Sequence, residues 1–191
     1  NILGFFNILE NCIDNNVKKV FYASSSSVYG DSKKFPLIES NINNPKNIYG
    51  LTKKINEEIS KLIVSNNQIS LIGLRFFTVF GEWGRPDMLI FKYLKSSFNK
   101  NEKFYLNNYG HHTRDFTYIQ DVNKILYSLL KKKHSSEHRI FNICSNKPIK
   151  ITNVLKLIDR NTKIRPIIIK RSFQKADVIK THGSNLKIKK Y

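Results

Sequence analysis

Apolar and polar positions follow one another in blocks that predict helices and strands in turn. The apolar residues of 2–13 fall on one helical face, and 17–23 is a short apolar run typical of a buried strand. Residues 49–64 repeat the helical spacing, and 69–77 repeat the apolar run. Buried strands that alternate with helices are typical of parallel sheets covered on both faces, so the pattern predicts an α/β fold.

The rest of the chain predicts shorter elements. Helices are expected over 88–98, 121–130 and 152–160, with Thr152 as the cap of the last. The expected strands are 103–106, 116–119, 139–144 and 164–169. A turn at 107–110 is expected to join the first two of these strands. This alternation continues the α/β pattern with shorter elements.

Two polar stretches come directly after the first two predicted strands. The first is a row of four serines, 24–27, and the second is 78–88, which contains Gly84 and Pro86. In open parallel sheets, ligands bind beyond the carboxyl ends of the strands. A flexible linker is not expected between a strand and its crossover helix. The serine row is therefore interpreted as part of a site.

The charge balance allows two interpretations. The formal net charge is +19, which is compatible with a nucleic-acid or acidic-membrane surface. The alternative is compositional drift, because Lys, Asn and Ile are abundant throughout and the lysines are scattered. No RNA-binding motif accompanies them. Drift is favoured, and no nucleic-acid partner is expected. A positive field would still favour a polyanionic small substrate such as a nucleotide diphosphate.

Metal and membrane sites are not indicated. Cys12 and Cys144 lack metal-ligand spacing, and the adjacent His111 and His112 fit a turn better than a metal site. No apolar run is long enough to span a membrane. Without a visible signal peptide, a reducing cytoplasm is the expected compartment.

Tyr49 and Lys53 stand four residues apart in a predicted helix, which places both side chains on one face. A nearby ammonium favours phenolate over phenol, so a tyrosine in this setting can act as a general base toward a sugar hydroxyl. Alone, this spacing usually indicates a solvated helix face. After a serine-rich strand end, it indicates a catalytic pair.

Five motifs occur in one order along the chain: "SSSSVYG", Tyr49-x-x-x-Lys53, "LRFFTVFG", "WGRPDM" and "RDFTYIQDV". In this order the sequence resembles the extended short-chain dehydrogenase/reductases, the NAD-dependent nucleotide-sugar epimerases and dehydratases. The resemblance covers essentially the whole chain. It implies a partial Rossmann-like, doubly wound parallel sheet with a small α/β substrate-binding lobe, and conversion of UDP-glucuronate to UDP-galacturonate through a 4-keto intermediate.

The resemblance also implies roles for particular residues. Ser25, Tyr49 and Lys53 would be catalytic. Ser24 and Phe77 would contact NAD, together with Tyr49 and Lys53. The residues expected to bind the UDP-sugar are Ser26, Ser27, Thr78, Arg85, Met88, Phe104, Leu106, Arg114 and Asp177.

Physical chemistry supports some of these roles and leaves alternatives for others. Arg85 is a planar bidentate donor that suits a carboxylate. Arg114 would bind the diphosphate, but it could instead pair with Asp115. Thr78 could satisfy backbone groups in its turn, and Phe104 and Leu106 could be plain core.

The serine row also distinguishes members of the family. In the related sugar 4,6-dehydratases, Asp-Glu follows the catalytic Ser/Thr and eliminates water. Here those places hold Ser26 and Ser27, which do no acid–base work at neutral pH. Dehydration is therefore disfavoured.

The glycine-rich dinucleotide fingerprint of the family is absent from this sequence. In the family it lies upstream, so the chain resembles the C-terminal part of a longer enzyme. We expect residues 1–85 to form the second half of the NAD-binding domain and 86–191 the nucleotide-sugar lobe. A homodimer through a helix bundle is the family expectation. Another UDP-sugar epimerase, a uronate decarboxylase, an inactive remnant and a basic binding module remain as alternatives.

Overall fold

Helices and strands alternate along the computed structural model, which describes residues 1–99, 101–133, 135–175 and 177–191. The helices are α1 (Ile2–Asp14), α2 (Ile48–Asn66), α3 (Leu89–Phe98), α4 (Ile119–Lys131), α5 (Ile151–Thr162) and α6 (Leu186–Lys190). The strands are β1 (Lys19–Ser25), β2 (Ser70–Phe76), β3 (Thr78–Phe80), β4 (Lys103–Leu106), β5 (Thr113–Tyr118), β6 (His138–Ile143), β7 (Pro148–Lys150) and β8 (Ile167–Lys170). Short 3-10 turns, Ser26–Tyr29 and Asn107–Gly110, follow β1 and β4.

The main sheet is parallel, with the strand order β1-β2-β6. Its register pairs Ser25 with Phe76, and Phe76 with Ile143. The three carboxyl ends are therefore level with one another. In such a sheet they border the crevice where ligands bind, and the serine row lies at this edge.

Both faces of the main sheet are covered. Leu71 packs with Leu9 of α1 on one face, where side chains of α2 also lie. The next residue, Ile72, packs with Val122 of α4 and Phe141 of β6 on the other face. Successive residues of a strand point to opposite faces, so an unbroken apolar strand is buried on both. The predicted α/β fold with a parallel, doubly covered sheet is confirmed.

Two small sheets lie outside the main one. β5 pairs with β3 in parallel and with β7 antiparallel, whereas β4 pairs with β8. The turn predicted at 107–110 is present between β4 and β5, but these two strands do not pair with each other. The backbone N–H groups of Asn108 and Tyr109 donate to the carbonyls of Ser172 and Arg171, so the turn ties β4 to the segment after β8.

Three local predictions also need correction. Helix α5 begins at Ile151 with Lys150 as its N-cap, so Thr152 lies inside the helix and does not cap it. The reason is that β7 runs directly into α5, and Ile151 N donates to the His112 carbonyl. Ser24 and Ser25 belong to β1, and the polar stretch after β2 begins with a strand, β3.

In the part of the chain that the structure describes, none of the helices has the length and apolar character needed to cross a membrane. The division into units at residue 85 stays a prediction. The sheets interleave across that boundary, since β6 belongs to the main sheet and β3 pairs with β5.

Candidate active site

The hydroxyls of the serine row point in different directions. Ser24 is buried and donates to Glu57 Oε1 at 2.5 Å. Ser25 caps the following 3-10 turn, because its Oγ accepts a hydrogen bond from Ser27 N at 3.1 Å. Ser26 and Ser27 are half-buried within that turn. The chain therefore turns sharply at Ser25, where β1 ends and the 3-10 turn begins; residues 24–27 are called the serine corner below.

Helix α2 begins against this corner. Asn47 caps the helix by accepting from Gly50 N at 2.8 Å. A Cβ at position 50 would lie 2.6 Å from the carbonyl oxygen of Ser27. Only glycine allows this approach, so the first turn of α2, which carries Tyr49, lies directly against the serine turn.

Tyr49 and Lys53 lie together on α2, as their spacing predicts. The Lys53 Nζ is 5.7 Å from the centroid of the Tyr49 ring and donates to the carbonyl of Ala23 at 2.8 Å. Burial lowers the pKa of the Lys53 ammonium from its usual value. Tyr49 itself is 49% exposed. Lys53 thus joins the tyrosine to the carboxyl end of β1 while the phenol stays open to the crevice.

A buried ion pair connects α2 to the main sheet. Arg75 and Glu57 are 2% and 3% exposed, and the guanidinium donates from Nε and Nη2 to the two carboxylate oxygens at 2.9 and 2.7 Å. The Arg75 guanidinium also lies 4.7 Å from the centroid of the Tyr29 ring. Burial opposes its charge, but hydrogen bonds to Glu57 and Tyr29 and their charges together raise its pKa.

The hydrogen-bond network around Arg75 and Glu57 continues from Tyr29 to β6. Tyr29 donates to Asn142 Oδ1 at 2.7 Å, and Asn142 N donates to Glu39 Oε1 at 2.8 Å. Burial raises the pKa of Tyr29 to about 12. Sequence analysis missed this network. Its signal was an arginine inside an apolar strand, because such a charge requires a buried partner.

Arg85 lies in the loop between β3 and α3 and is exposed. It forms a bidentate pair with Asp87, and the side chains are 75% and 53% exposed. The hydrogen bond to Asp87 raises the Arg85 pKa, and the nearby Tyr49 adds a smaller contribution. The Arg85 loop is thus within electrostatic range of Tyr49.

Five of the predicted substrate residues line one cavity of about 250 Å³. They are Thr78, Met88, Leu106, Arg114 and Asp177. An adjoining cleft is lined by Arg85 together with Thr78 and Met88. The cavity and the cleft therefore share a wall, and they run from Arg114 to the exposed Arg85.

Arg114 does not pair with Asp115. The buried Asp115 accepts from the N–H and hydroxyl of Ser145 and from Gly183 N, which fixes β5 to the neighbouring loops. Arg114 donates from Nη1 to the carbonyls of Thr113 and Ile179, at 3.1 Å each. Burial lowers the Arg114 pKa, and Asp177 opposes this effect. Neither of these two carbonyl acceptors carries a formal charge, so they do not neutralise the guanidinium at the cavity wall.

Three predicted contacts are engaged in the interior. Phe77 packs with Val28 and Tyr29, and Phe104 packs edge-to-face against Tyr93 at 4.9 Å between ring centroids. The hydroxyl of Ser24 is held by Glu57. Their proposed contacts with NAD and nucleotide stay predictions, and the contacts observed are those of core side chains.

Comparison with known proteins shows which family the chain belongs to. A model described as the NAD dependent epimerase/dehydratase family matches residues 1–144 of the chain. The chain belongs to this family. An uncharacterised protein of Methanocaldococcus jannaschii is 38% identical over 193 residues, which cover 100% of this chain and 58% of that relative.

Two further members of the family are similar over most of the chain. UDP-glucuronate 4-epimerase 4 of Arabidopsis thaliana is 37% identical over 180 residues, covering 86% of this chain and 41% of the plant enzyme. The solved structure of MoeE5 in complex with UDP-glucuronic acid and NAD is 28% identical, with a TM-score of 0.94. The match covers 100% of this chain and 63% of the MoeE5 chain. The chain thus spans less than two thirds of each of these relatives.

Proposed function

We propose that the protein is an NAD-dependent UDP-sugar 4-epimerase that interconverts UDP-glucuronate and UDP-galacturonate. The observation that carries the proposal is the Tyr49–Lys53 pair, open to the crevice and joined to the carboxyl end of β1 through Ala23. The names of the relatives support the substrate: a UDP-glucuronate 4-epimerase and a structure with UDP-glucuronic acid and NAD.

The catalytic group is Tyr49. Its phenolate removes the proton of the sugar 4-hydroxyl as the C4–H bond breaks, which leaves a 4-keto sugar. When bound, NAD would supply the hydride acceptor that balances the loss of hydrogen from C4, and the hydride would return to the other face of the rotated sugar. Tyr49 then gives the proton back to the new 4-hydroxyl. The Ser25 hydroxyl, at the bend of the serine corner, shares this proton network.

The side chains at the crevice fit the nicotinamide end of NAD. Lys53 has three N–H donors, of which the Ala23 carbonyl uses one, so ribose hydroxyls have donors available. Because Ser24 and Phe77 are engaged in the interior, Tyr49 and Lys53 would carry most of the contact that this chain makes with the cofactor.

In this proposal, three charged residues bind different parts of the substrate. Arg114 binds the diphosphate, Asp177 accepts from the ribose, and Arg85 holds the C6 carboxylate of the uronic acid. Arg85 donates two hydrogen bonds to the carboxylate of Asp87, and a substrate carboxylate would replace Asp87 in the same bidentate geometry. Dehydration remains disfavoured, because Ser26 and Ser27 stand where a dehydratase needs two carboxylic acids.

A homodimer through α1 and α2 is part of the proposal. Leu3 on α1 and Leu62 on α2 are 71% and 67% exposed, which leaves apolar surface on both helices. Light scattering should give twice the mass of one chain, and a Leu3→Glu and Leu62→Glu variant should fall to one. A wild-type protein that is monomeric at micromolar concentration would rule the dimer out.

The activity is tested by incubating the full-length gene product with UDP-glucuronate and NAD and following the sugar by NMR. The galacturonate isomer should appear, and Tyr49→Phe should reduce the rate at least about a hundredfold through loss of the acid–base group. Tyr127→Phe, on an exposed tyrosine of α4, is the matched control. A pentose product with released carbon dioxide would show a decarboxylase instead, and no turnover would exclude the enzyme.

A further inference from the structure

His112 is a buried histidine with an unsatisfied ring nitrogen. It lies directly before β5 and is 4% exposed. Its Nε2 has no hydrogen-bond partner within residues 1–99, 101–133, 135–175 and 177–191. Leaving a buried polar atom unpaired costs free energy, so such an atom in a folded protein requires an explanation.

The position of His112 supplies one. The residue lines the same cavity as Arg114 and Phe116, which follow at intervals of two along the strand. Side chains at this spacing share one face. The backbone of His112 is fixed by its carbonyl, which accepts from Ile151 N at 2.9 Å, and its ring lies 6.3 Å from the Phe173 ring between centroids. The imidazole is therefore held at the cavity wall.

Burial and nearby charges together set the pKa of the His112 ring. Burial is the main cause that lowers the His112 pKa below its usual value, followed by the Arg114 charge on β5. Asp177, across the cavity, raises this pKa, whereas the neighbouring His111 lowers it. Together these causes favour the neutral form of the ring in the free protein. An anion next to Arg114 would reverse the balance.

We propose that His112 is a further binding contact of the nucleotide site, whose Nε2 donates a hydrogen bond to a diphosphate oxygen beside Arg114. The inference rests on the proposed UDP-sugar site and names a second donor for it. It accounts for a buried polar atom, on a residue of the cavity wall, that has no partner among the residues the structure describes. The diphosphate is the part of the ligand whose oxygens can accept hydrogen bonds from both Arg114 and the imidazole.

A pH dependence of binding follows. Bound diphosphate raises the pKa of the ring, so the protein takes up a proton as it binds. Affinity must then rise as the pH falls through the higher pKa of the bound state, and it must level off below the lower pKa of the free state. The expected gain in affinity between about pH 8 and about pH 6 is roughly tenfold.

The test is calorimetry with UDP-glucose in the absence of added NAD. UDP-glucose is the chosen probe because its diphosphate is substituted at both ends and does not titrate near neutral pH, whereas a terminal phosphate does. Binding heats are compared in buffers of different ionisation enthalpy, which gives the number of protons taken up. The variants are His112→Gln and, as the matched control on the adjacent exposed residue, His111→Gln.

Wild type and His111→Gln should take up a proton and bind roughly tenfold more tightly at about pH 6 than at about pH 8. His112→Gln should bind with little pH dependence and about tenfold more weakly at low pH. NMR titration of the His112 ring in wild type, with and without UDP-glucose, checks the result independently of any variant. Proton uptake that persists in His112→Gln, or a ring pKa that the ligand leaves unchanged, would overturn the inference alone. Failure of wild type to bind either UDP-glucose or UDP-glucuronate would overturn the proposed function with it.

Discussion

Two arginines of this chain make the same bidentate contact with a carboxylate in opposite surroundings. Arg75 and Glu57 are 2% and 3% exposed, in the interior between α2 and β2. Arg85 and Asp87 are 75% and 53% exposed, in the loop before α3. The pairing geometry is alike, so the difference between them lies in burial.

Burial determines what each pair can do. A buried pair cannot exchange its partner for water, and breaking it leaves an uncompensated charge in the interior. An exposed pair contributes little to stability, because water and salt replace each partner readily. Arg75 therefore suits a structural role that sets α2 against the serine corner. Arg85 is available to leave Asp87 for another carboxylate.

The largest effect is expected for stability. Arg75→Met should lower the free energy of unfolding by about 3–5 kcal/mol, because Glu57 would remain buried and charged. Arg85→Met is the matched substitution at the exposed pair, and it should leave the urea midpoint unchanged within error. Urea denaturation followed by circular dichroism measures both.

A double variant sharpens this comparison. Arg75→Met combined with Glu57→Leu removes both charges, so it should recover part of the loss and give a coupling of about 1–3 kcal/mol. Equal midpoint shifts for Arg75→Met and Arg85→Met would break the contrast between the two pairs.

The sequence predicted the fold better than it predicted this contrast. The helices of 2–13 and 49–64 and the two apolar runs 17–23 and 69–77 correspond to α1, α2, β1 and β2 within a few residues. Helical and strand periodicities are local properties, so they are readable from one segment. The pairing of β4 with β8 was missed because it joins residues far apart in the chain.

The site was predictable where its signal was a local motif. The shared helical face of Tyr49 and Lys53 follows from their spacing, and the place of the serine row follows from the end of an apolar strand. The choice of Ser25 within that row came from the family resemblance. Glu57 and Arg75 were missed, although an arginine within an apolar strand indicates a buried partner. His112 was interpreted only as part of a turn, because the cavity beside it is built from segments that no local pattern connects.

A smaller effect, confined to substrate preference, is expected at the exposed pair. Arg85→Ala should fold normally but lose the carboxylate contact, so kcat/KM for UDP-glucuronate should fall roughly 10- to 100-fold more than kcat/KM for UDP-glucose. Asp87→Asn is the control: it removes the same ion pair but keeps the guanidinium, so the preference for the uronic acid should persist.

The most direct measurement of the central claim is the ratio of kcat/KM for these two substrates, in wild type and in Arg85→Ala. If the exposed arginine holds the substrate carboxylate, wild type should prefer UDP-glucuronate and the variant should lose that preference. If both substrates lose activity by the same factor in Arg85→Ala, Arg85 does not recognise the carboxylate and the account is contradicted.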